Sequence, residues 1–205
     1  MSRKQTIKEA LLTNVTQIFL IVFSVVLGLF LSERIEEIKN EKEAKKLLSR
    51  IKSEVTVNKK LVEDWTPYHR KIVQKLDTLC ENDRFIKDFI KDESNLFKEV
   101  LTEGTFMSAM PTNDAWDIAK SHPLIVNFEY DQLLILSKVY NQQKLTFEPA
   151  SQIAEIFLSP NFNSNENAQL NLKIFKSRMQ EIVGRELQLI EYYKTADKIL
   201  ELENH

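Results

Sequence analysis

The chain is poor in residues that interrupt helices, because its 205 residues include only three glycines and five prolines. Glycine and proline mark turns, so their scarcity argues against a fold of many short strands and favours long helices. Cysteine is almost absent as well. The single Cys80 excludes an internal disulfide and leaves open which redox compartment holds the protein.

An excess of charge of one sign is also missing, since the formal net charge is −2. The sequence therefore has no basic footprint for nucleic acid, and we expect no nucleic-acid partner. It lacks H-E-x-x-H, G-x-S-x-G, the P-loop and G-x-G-x-x-G, and its three histidines have no metal-ligand spacing. We expect a protein that is not an enzyme and has no metal and no cofactor, with His69 as a packed or rim residue rather than a base.

What is present is one long uncharged run, which covers the 23 residues 10–32. Twelve of the fourteen residues at 18–31 are Leu, Ile, Val or Phe. At about 1.5 Å per residue, a helix of this length spans about 35 Å, and the hydrocarbon core of a bilayer is about 30 Å thick. The run therefore predicts a transmembrane helix.

A cleaved signal peptide is the alternative interpretation of this run, because Arg3, Lys4 and Lys8 precede it. Leu-Phe-Leu-Ser-Glu-Arg at 29–34 offers no pair of small residues for cleavage, so a retained anchor is favoured. The chain is then divided into a basic N-terminal tail at 1–9, a transmembrane helix at 10–32 and an extramembrane α-helical domain at 33–205.

The first part of the domain is predicted to be one long helix. No glycine or proline lies between Gly28 and Pro67, so the transmembrane helix is expected to continue to about Trp65. Apolar residues recur at 3-4 spacing from Leu48, which predicts packing against other helices. Thr66 followed by Pro67 is typical of a helix start, so we expect a second helix to begin there.

Shorter elements are expected in the middle of the chain. Two amphipathic segments, at 85–90 and 96–101, precede a loop at 105–113 and a brief helix at about 114–121. Two separate helices then follow. Their predicted ranges are about 130–143 and 146–158, and an Asn-rich loop comes after them.

The last predicted helix is long, from about Ser164 to Leu202, with apolar residues again at 3-4 spacing. It matches the first extramembrane helix in length, so the two are expected to lie antiparallel. The predicted fold class is all-α. An N-terminal transmembrane helix continues into a long extramembrane helix, which packs with a long antiparallel C-terminal helix, and several short helices form an end cap.

One face of the transmembrane helix carries small and polar residues at 3-4 spacing. A small-xxx-small pair on this face lets membrane helices approach closely, and amide side chains on it can hydrogen-bond across the contact. The same spacing continues into two isoleucines beyond the apolar run. The candidate helix-association face consists of Asn14, Gln17, Ser24, Gly28, Ile35 and Ile38.

Aromatic and acidic residues between 114 and 140 form a second candidate site. Trp116 and Tyr140 are expected to anchor the core of the end cap, whereas Asp131, near a helix start, has a simple role as a partner of the helix dipole. If the domain binds a ligand, the candidate binding surface is Trp116, Tyr130, Asp131 and Tyr140.

The signals for membrane orientation conflict. Three cations precede the apolar run and six follow it at 34–50, and a plain count would keep the domain in the cytoplasm. Long domains, however, cross membranes largely regardless of charge. A short basic N-terminus before the first apolar helix is typical of a signal anchor. We therefore expect a single-pass protein of a bacterial inner membrane, with its extramembrane domain in the periplasm.

Several segments are similar to those of a known set of proteins. They are Leu-Gly-Leu-Phe-Leu at 27–31, the stretch Lys-Leu-Leu-Ser-Arg-Ile-Lys-Ser-Glu-Val-Thr-Val-Asn at 46–58, and Pro-Thr-Asn-Asp-Ala-Trp-Asp-Ile-Ala at 111–119. With these segments the chain resembles a family of uncharacterised single-pass membrane proteins common in Bacteroidota and other Gram-negative bacteria. The family has no established activity. The resemblance implies a membrane anchor and an α-helical domain, and no site residues.

Two functions are compatible with the sequence. The first is a membrane-anchored, non-enzymatic scaffold or interaction protein that self-associates, with the lipid bilayer, a second copy of the chain and an unidentified protein as partners. The second is a membrane-associated effector or sensor whose helical domain binds a ligand or partner and perturbs the membrane. The association face and the long charged helix favour the first.

Overall fold

The computed structural model describes the backbone of residues 3–201 and the side chains of residues 17–200. Within that range the chain is helical throughout and contains no strand, which confirms the all-α class. The elements are α1 (Arg3–Leu79), α2 (Asp83–Lys91), α3 (Ser94–Glu99), α4 (Asp114–Lys120), a 3-10 helix (Pro123–Asn127), α5 (Tyr130–Phe157) and α6 (Ala168–Glu201). The chain divides into two compact units, Met1–Lys46 and Leu47–His205.

The first unit consists of the N-terminal part of α1. Every side chain from Gln17 to Lys39 is exposed, including those of the apolar run. Phe19 and Leu29, for example, remain 68% and 67% exposed. In the described residues, α1 is the one helix that is long and apolar enough to cross a membrane. A helix suits the interior of a bilayer because it satisfies its own backbone hydrogen bonds.

The second unit is built around two long antiparallel helices. Lys59 Nζ on α1 lies 2.6 Å from Asp197 Oδ2 on α6, and Lys176 Nζ on α6 lies 3.3 Å from Asp77 Oδ1 on α1. The two helices therefore run antiparallel, which confirms the predicted pairing. Buried apolar residues recur at 3-4 spacing on both helices: Ile51, Val55, Val62, Ile72 and Leu76 on α1, and Leu172, Phe175, Met179, Ile182 and Leu189 on α6.

The short helices α2 and α3 lie where predicted and cover one end of this pair. The Asn82 side chain caps α2 by accepting two backbone N–H groups of its first turn. Phe89 of α2 packs edge-on against Phe162 at 5.1 Å between ring centroids, inside a buried apolar cluster. Gly104 has a φ of +75°, a left-handed conformation that favours glycine, and it precedes the predicted loop at 105–113.

The predicted helix start at Thr66 and Pro67 is wrong, because α1 continues without interruption to Leu79. Thr66 and His69 are buried while Pro67 is exposed, so the proline ring lies on the solvent side of a helix that is packed on its other side. The Thr66 hydroxyl donates to the Val62 carbonyl at 2.8 Å. An interior proline costs a helix about 3 kcal/mol. Burial on both sides of Pro67 offsets this cost.

The two helices predicted at 130–143 and 146–158 are also a single helix, α5. Gln143 and Thr146 are both buried and continue the buried stripe of this helix, so packing holds the segment between them helical. Thr146 donates its hydroxyl to the Gln142 carbonyl at 2.7 Å. The last helix, by contrast, begins at Ala168, four residues later than predicted, and the predicted end at Leu202 lies outside the described residues.

Candidate functional site

The candidate helix-association face is exposed along the described part of its length. Gln17, Ser24 and Gly28 are solvent-accessible, and Ile35 and Ile38 are 67% and 63% exposed. The side chain of the sixth predicted residue, Asn14, lies outside the described residues. Five of the six residues therefore belong to one exposed segment of the first unit.

Small residues in the middle of this face leave the helix backbone accessible. The Ser24 hydroxyl donates to the Leu20 carbonyl at 2.7 Å, so it is satisfied within the helix. No heavy atom lies within 4 Å of the position that a Cβ on Gly28 would occupy. A partner helix is able to approach the backbone closely at these two positions.

The end of the association face and the first buried residue of α1 lie on different sides of the helix. Ala44 is the first buried residue of α1 among the described side chains, and it follows Ile38 by six residues. At about 100° per residue, six residues rotate by about 600°, so Ala44 and Ile38 are separated by about 120° around the helix axis. Burial of Ala44 therefore leaves Ile38, on the same helix, 63% exposed.

The four residues of the candidate binding surface do not lie together. Trp116 and Tyr140 are buried and stack in parallel, with ring centroids 5.5 Å apart, so both are interior residues as expected. Tyr130 is 75% exposed, and Asp131 beside it is exposed as well. The structure thus places two of these residues in the interior and two on the surface at the start of α5.

Glu54 on α1 joins this aromatic pair to the start of α4. Its carboxylate accepts hydrogen bonds from the Tyr140 hydroxyl at 2.6 Å, the Ala115 backbone N–H at 2.9 Å and the Thr112 hydroxyl at 3.2 Å. A carboxylate at a helix N-terminus is favourable because it meets free N–H groups and the positive end of the helix dipole. Burial, followed by the hydrogen bond to Glu54, raises the pKa of the Tyr140 phenol.

The irregular segment at 105–113, here called the strap, is fastened to α1 by polar side chains. Asn58 makes two bonds to Thr112: its Nδ2 donates to the carbonyl at 2.7 Å, and its Oδ1 accepts from the N–H at 3.0 Å. Tyr68 donates its hydroxyl to the Thr105 carbonyl at 2.8 Å. Backbone groups without secondary structure need such partners when they pack on a protein surface. The polar positions of α1 supply them.

Asn58 also belongs to a buried polar network that joins three helices. Its Nδ2 lies 3.3 Å from Gln143 Oε1 on α5, and the Tyr193 hydroxyl on α6 donates to the same oxygen at 2.7 Å. Burial raises the pKa of the Tyr193 phenol. Because each of these polar groups has a partner, the network fixes the register of the three helices.

His69 and Glu186 form a fully buried pair next to this network. His69 Nδ1 lies 2.6 Å from Glu186 Oε1, and Nε2 donates to the Phe106 carbonyl of the strap at 2.7 Å. Because that carbonyl only accepts, Nε2 carries a hydrogen, and a second proton must lie between Nδ1 and Oε1. The other carboxylate oxygen, Glu186 Oε2, is buried and has no hydrogen-bond partner among the described residues.

The aromatic ring of Trp65 covers the imidazole, with centroids 5.5 Å apart and planes at 21°. His69 is thus a packed residue, as expected.

Sequence reasoning did not single out Glu186 or Glu54. The sequence did contain a pattern that marks Glu186, because this residue interrupts the apolar stripe of α6 at a position that should be buried. No sequence pattern marks Glu54, because its partners lie on other elements and it is one of many charged residues on α1.

The described residues contain no group of three or more His, Cys, Asp or Glu side chains placed to hold a metal ion. Cys80 is buried, and burial raises the pKa of its thiol, so the thiol is held in the unreactive protonated form.

Comparison with known proteins adds no assignment: no family model matches the chain, and no curated protein or solved structure matches it. Its function must be argued from its own residues.

Proposed function

We propose that this protein is a single-pass membrane protein whose helical domain acts as a non-enzymatic scaffold or interaction module, and that it self-associates through its transmembrane helix. The observation that carries the proposal is the exposed apolar segment of α1. The resemblance to single-pass membrane proteins of Bacteroidota supports the membrane anchor, and it carries no activity.

The anchor is supported by the size of the exposed apolar surface. Soluble monomers rarely expose a contiguous apolar patch larger than a few hundred Å², whereas every side chain from Ile18 to Leu31 is exposed here. Each Leu, Ile, Val or Phe near a helix centre favours membrane insertion by about 0.3–0.6 kcal/mol. The twelve in this segment together contribute about 5 kcal/mol. A bilayer is the environment that accommodates this helix.

Self-association is supported by the association face. Ser24 and Gly28 add little side-chain bulk to the apolar segment. Ile35 and Ile38 continue the face beyond it, where water favours their burial. Two copies inserted in the same direction bring these positions together in a parallel pair. Burial of one isoleucine side chain stabilises such a contact by about 1.5–3 kcal/mol.

Disulfide crosslinking in membranes tests the pairing. In a Cys80→Ala background, Ile35→Cys and Glu36→Cys place one thiol on the face and one about 100° away from it. We expect Ile35→Cys to give a crosslinked dimer under mild oxidation and Glu36→Cys to give little. Gly28→Leu, added to Ile35→Cys, should reduce the yield. Equal crosslinking at both positions, or none at either, contradicts a specific pair.

We further propose that the protein lies in the bacterial inner membrane with its domain in the periplasm. The short basic N-terminus before the span supports this orientation. Alkaline phosphatase fused after His205 should then be active, and a reporter that works only in the cytoplasm should be inactive at the same position. The reverse pair of activities places the domain in the cytoplasm.

A further inference from the structure

The charged residues that follow the apolar segment of α1 are sorted by sign around the helix. Residues 33–46, within the first unit, include five cations and five glutamates. At about 100° per residue, every cation lies within about 80° of Lys42 around the helix axis, and every glutamate lies at least about 100° from it. The cationic face consists of Arg34, Lys39, Lys42, Lys45 and Lys46, and the acidic face consists of Glu33, Glu36, Glu37, Glu41 and Glu43.

The cationic face is exposed and keeps its positive charge. All five of its residues are exposed. Two of them pair with glutamates across the edges of the face: Arg34 lies 2.5 Å from Glu37, and Lys46 lies 2.7 Å from Glu43. Exposed pairs of this kind are weak. No ion pair among the described residues involves the other three cations of the face.

Two isoleucines lie among these cations. Ile35 and Ile38 are within about 40° of Lys42 around the helix axis, and they are 67% and 63% exposed. Apolar side chains mixed with Lys and Arg suit a membrane interface, because the apolar groups enter the boundary of the acyl chains and the cations meet the headgroups. Long cationic side chains assist, since their stems lie along apolar surface while their charged ends reach outwards.

The cationic face begins just beyond the hydrocarbon core. Arg34 follows Leu31, the last residue of the apolar segment, by three residues, or about 4.5 Å along the helix axis. Lys39 and Lys42 follow Leu31 by about 12 and 16 Å. The headgroup layer is about 5–7 Å thick on each side of the core, and at 0.1 M salt its charge acts over about 10 Å more. Arg34 therefore lies at headgroup depth, and the next two cations lie within the range of the surface charge.

The length of the apolar run favours a tilted helix. Its 23 residues span about 35 Å, about 5 Å more than the hydrocarbon core, and tilt takes up such an excess. Lys and Arg residues at the interface help to set the direction of tilt. Because all five cations lie on one side, a tilt towards that side brings them nearer to the bilayer and lifts the acidic face away from it.

We propose that the cationic face binds the headgroups of anionic phospholipids and that this binding tilts α1 towards them. The sign of the charge selects the lipid, because an anionic headgroup attracts each cation whereas a zwitterionic headgroup has no net charge. The proposal rests on the membrane anchor proposed above and does not require self-association. Where two copies pair, their cationic faces lie beside the contact, and anionic headgroups reduce the repulsion between them.

Quenching by a headgroup spin label measures how closely the face approaches the membrane. In a Cys80→Ala background, Ile38→Cys carries a fluorophore, and the full chain is reconstituted in vesicles that include phosphatidylcholine with a nitroxide on its headgroup. One set of vesicles contains phosphatidylcholine alone, and the other contains phosphatidylglycerol as well. We expect at least about twofold stronger quenching with phosphatidylglycerol. Salt at about 1 M should remove most of the difference, because it shortens the screening length to about 3 Å.

Two variants with the same change in net charge test whether the face is responsible. The ratio of the quenching in the two kinds of vesicle is compared within each variant. Loss of three cations from the face should abolish the difference, and this variant combines Lys39→Gln, Lys42→Gln and Lys45→Gln. Loss of three exposed cations further along α1 should preserve it, and this variant combines Lys60→Gln, Arg70→Gln and Lys71→Gln.

Three results overturn the proposal: equal quenching in the two kinds of vesicle, a difference that survives the loss of the three facial lysines, or a difference that the remote variant abolishes as well. If quenching is equal while Ile35→Cys still crosslinks, a second copy covers the face instead of lipid.

A label within the apolar segment distinguishes failure of lipid binding from failure of the anchor. Val25→Cys should be quenched by a nitroxide on the acyl chains in every vesicle. If it is quenched and Ile38→Cys shows no preference for phosphatidylglycerol, lipid binding alone fails. If Val25→Cys is not quenched, the anchor fails and the lipid site fails with it.

Discussion

Glu54 on α1 caps α4 from 61 residues away, because its carboxylate accepts the Ala115 backbone N–H at 2.9 Å. Asn113, the residue just before α4, makes no side-chain cap bond of its own. A helix of seven residues is too short to be stable alone. The position of α4, and with it that of Trp116, is therefore determined by a side chain of the long helix.

Removal of the Glu54 carboxylate should destabilise the domain. Glu54→Ala deprives α4 of its cap and leaves the buried Tyr140 hydroxyl unpaired, so we expect the free energy of unfolding to fall by about 2–4 kcal/mol. Tyr140→Phe removes one of these bonds and should cost about 1–2 kcal/mol. Urea titration of the detergent-solubilised chain, followed by its helical circular dichroism, measures both.

The matched control for this prediction is Glu63→Ala, which truncates an exposed glutamate on the same helix. It should change the unfolding free energy by less than about 0.5 kcal/mol. A loss in Glu54→Ala no larger than that in Glu63→Ala would show that the cap contributes nothing.

The His69–Glu186 pair should depend strongly on both of its members. His69→Leu leaves a carboxylate buried beside an apolar side chain, and Glu186→Leu leaves the imidazole and its proton without a partner. Breaking one side of a buried ion pair typically costs about 3–5 kcal/mol. The double variant replaces both groups with apolar ones, so it should be less destabilised than the sum of the single variants by at least about 1 kcal/mol.

The same urea titrations complete this double-mutant cycle. Val183, on α6 three residues before Glu186 and partly buried, provides a size control: Val183→Ala should lower stability without coupling to His69→Leu. Additive losses at positions 69 and 186 would mean that the contact at 2.6 Å carries no specific energy.

Helix periodicity predicted the core of this protein well. The 3-4 spacing on α1 and α6 marked the residues that are buried, and the polar interruptions at Asn58 and Glu186 fall on the same stripe. Both of these polar residues bond to other elements. A polar residue within an apolar stripe was therefore the useful local signal for the interior network.

Two local breaks were predicted wrongly for one physical reason. Both breaks were placed from a few neighbouring residues, Pro67 in one case and those between Gln143 and Thr146 in the other. Burial, in contrast, acts over the whole stripe of each helix. The loop at 105–113 was predicted, but its attachment to α1 and the role of Glu54 were not, because their hydrogen bonds join residues more than 30 positions apart. Nothing in a single sequence states which distant backbone groups meet.

Gly184 and Gly104 should respond to alanine in opposite directions. Gly184 is exposed within α6, and a Cβ there meets no heavy atom within 4 Å, so Gly184→Ala should stabilise the domain by about 0.5–1 kcal/mol. Gly104 has open space too, but its φ of +75° strains any other residue. Gly104→Ala should therefore cost about 1 kcal/mol. Urea midpoints of the two variants measure the difference, and a shift of the same sign in both would contradict the assigned backbone conformations.

Stability should fall at alkaline pH because of Tyr140 and Tyr193. Burial raises the pKa of both phenols in the folded protein, and the neighbouring Glu54 adds to the effect. In the unfolded chain the pKa of tyrosine is about 10. The folded protein thus keeps two protons that the unfolded chain releases, so the stability from these groups is complete below about pH 9 and declines as the pH rises further. Each phenol contributes a slope of about 1.4 kcal/mol per pH unit above the unfolded pKa.

Tyr193→Phe isolates one of these contributions. It removes one buried phenol and its bond to Gln143, so we expect lower stability at neutral pH together with a decline that is shallower by about 1.4 kcal/mol per unit above pH 10. Urea titrations at a series of alkaline pH values measure the slope, and the phenolate absorbance that wild type has in excess of the variant reports Tyr193 directly. This absorbance should rise only as the helical signal is lost, because the phenol ionises once its burial ends. If it rises near pH 10 while the helices persist, Tyr193 is open to solvent in the folded protein, and its place between α5 and α6 is wrong.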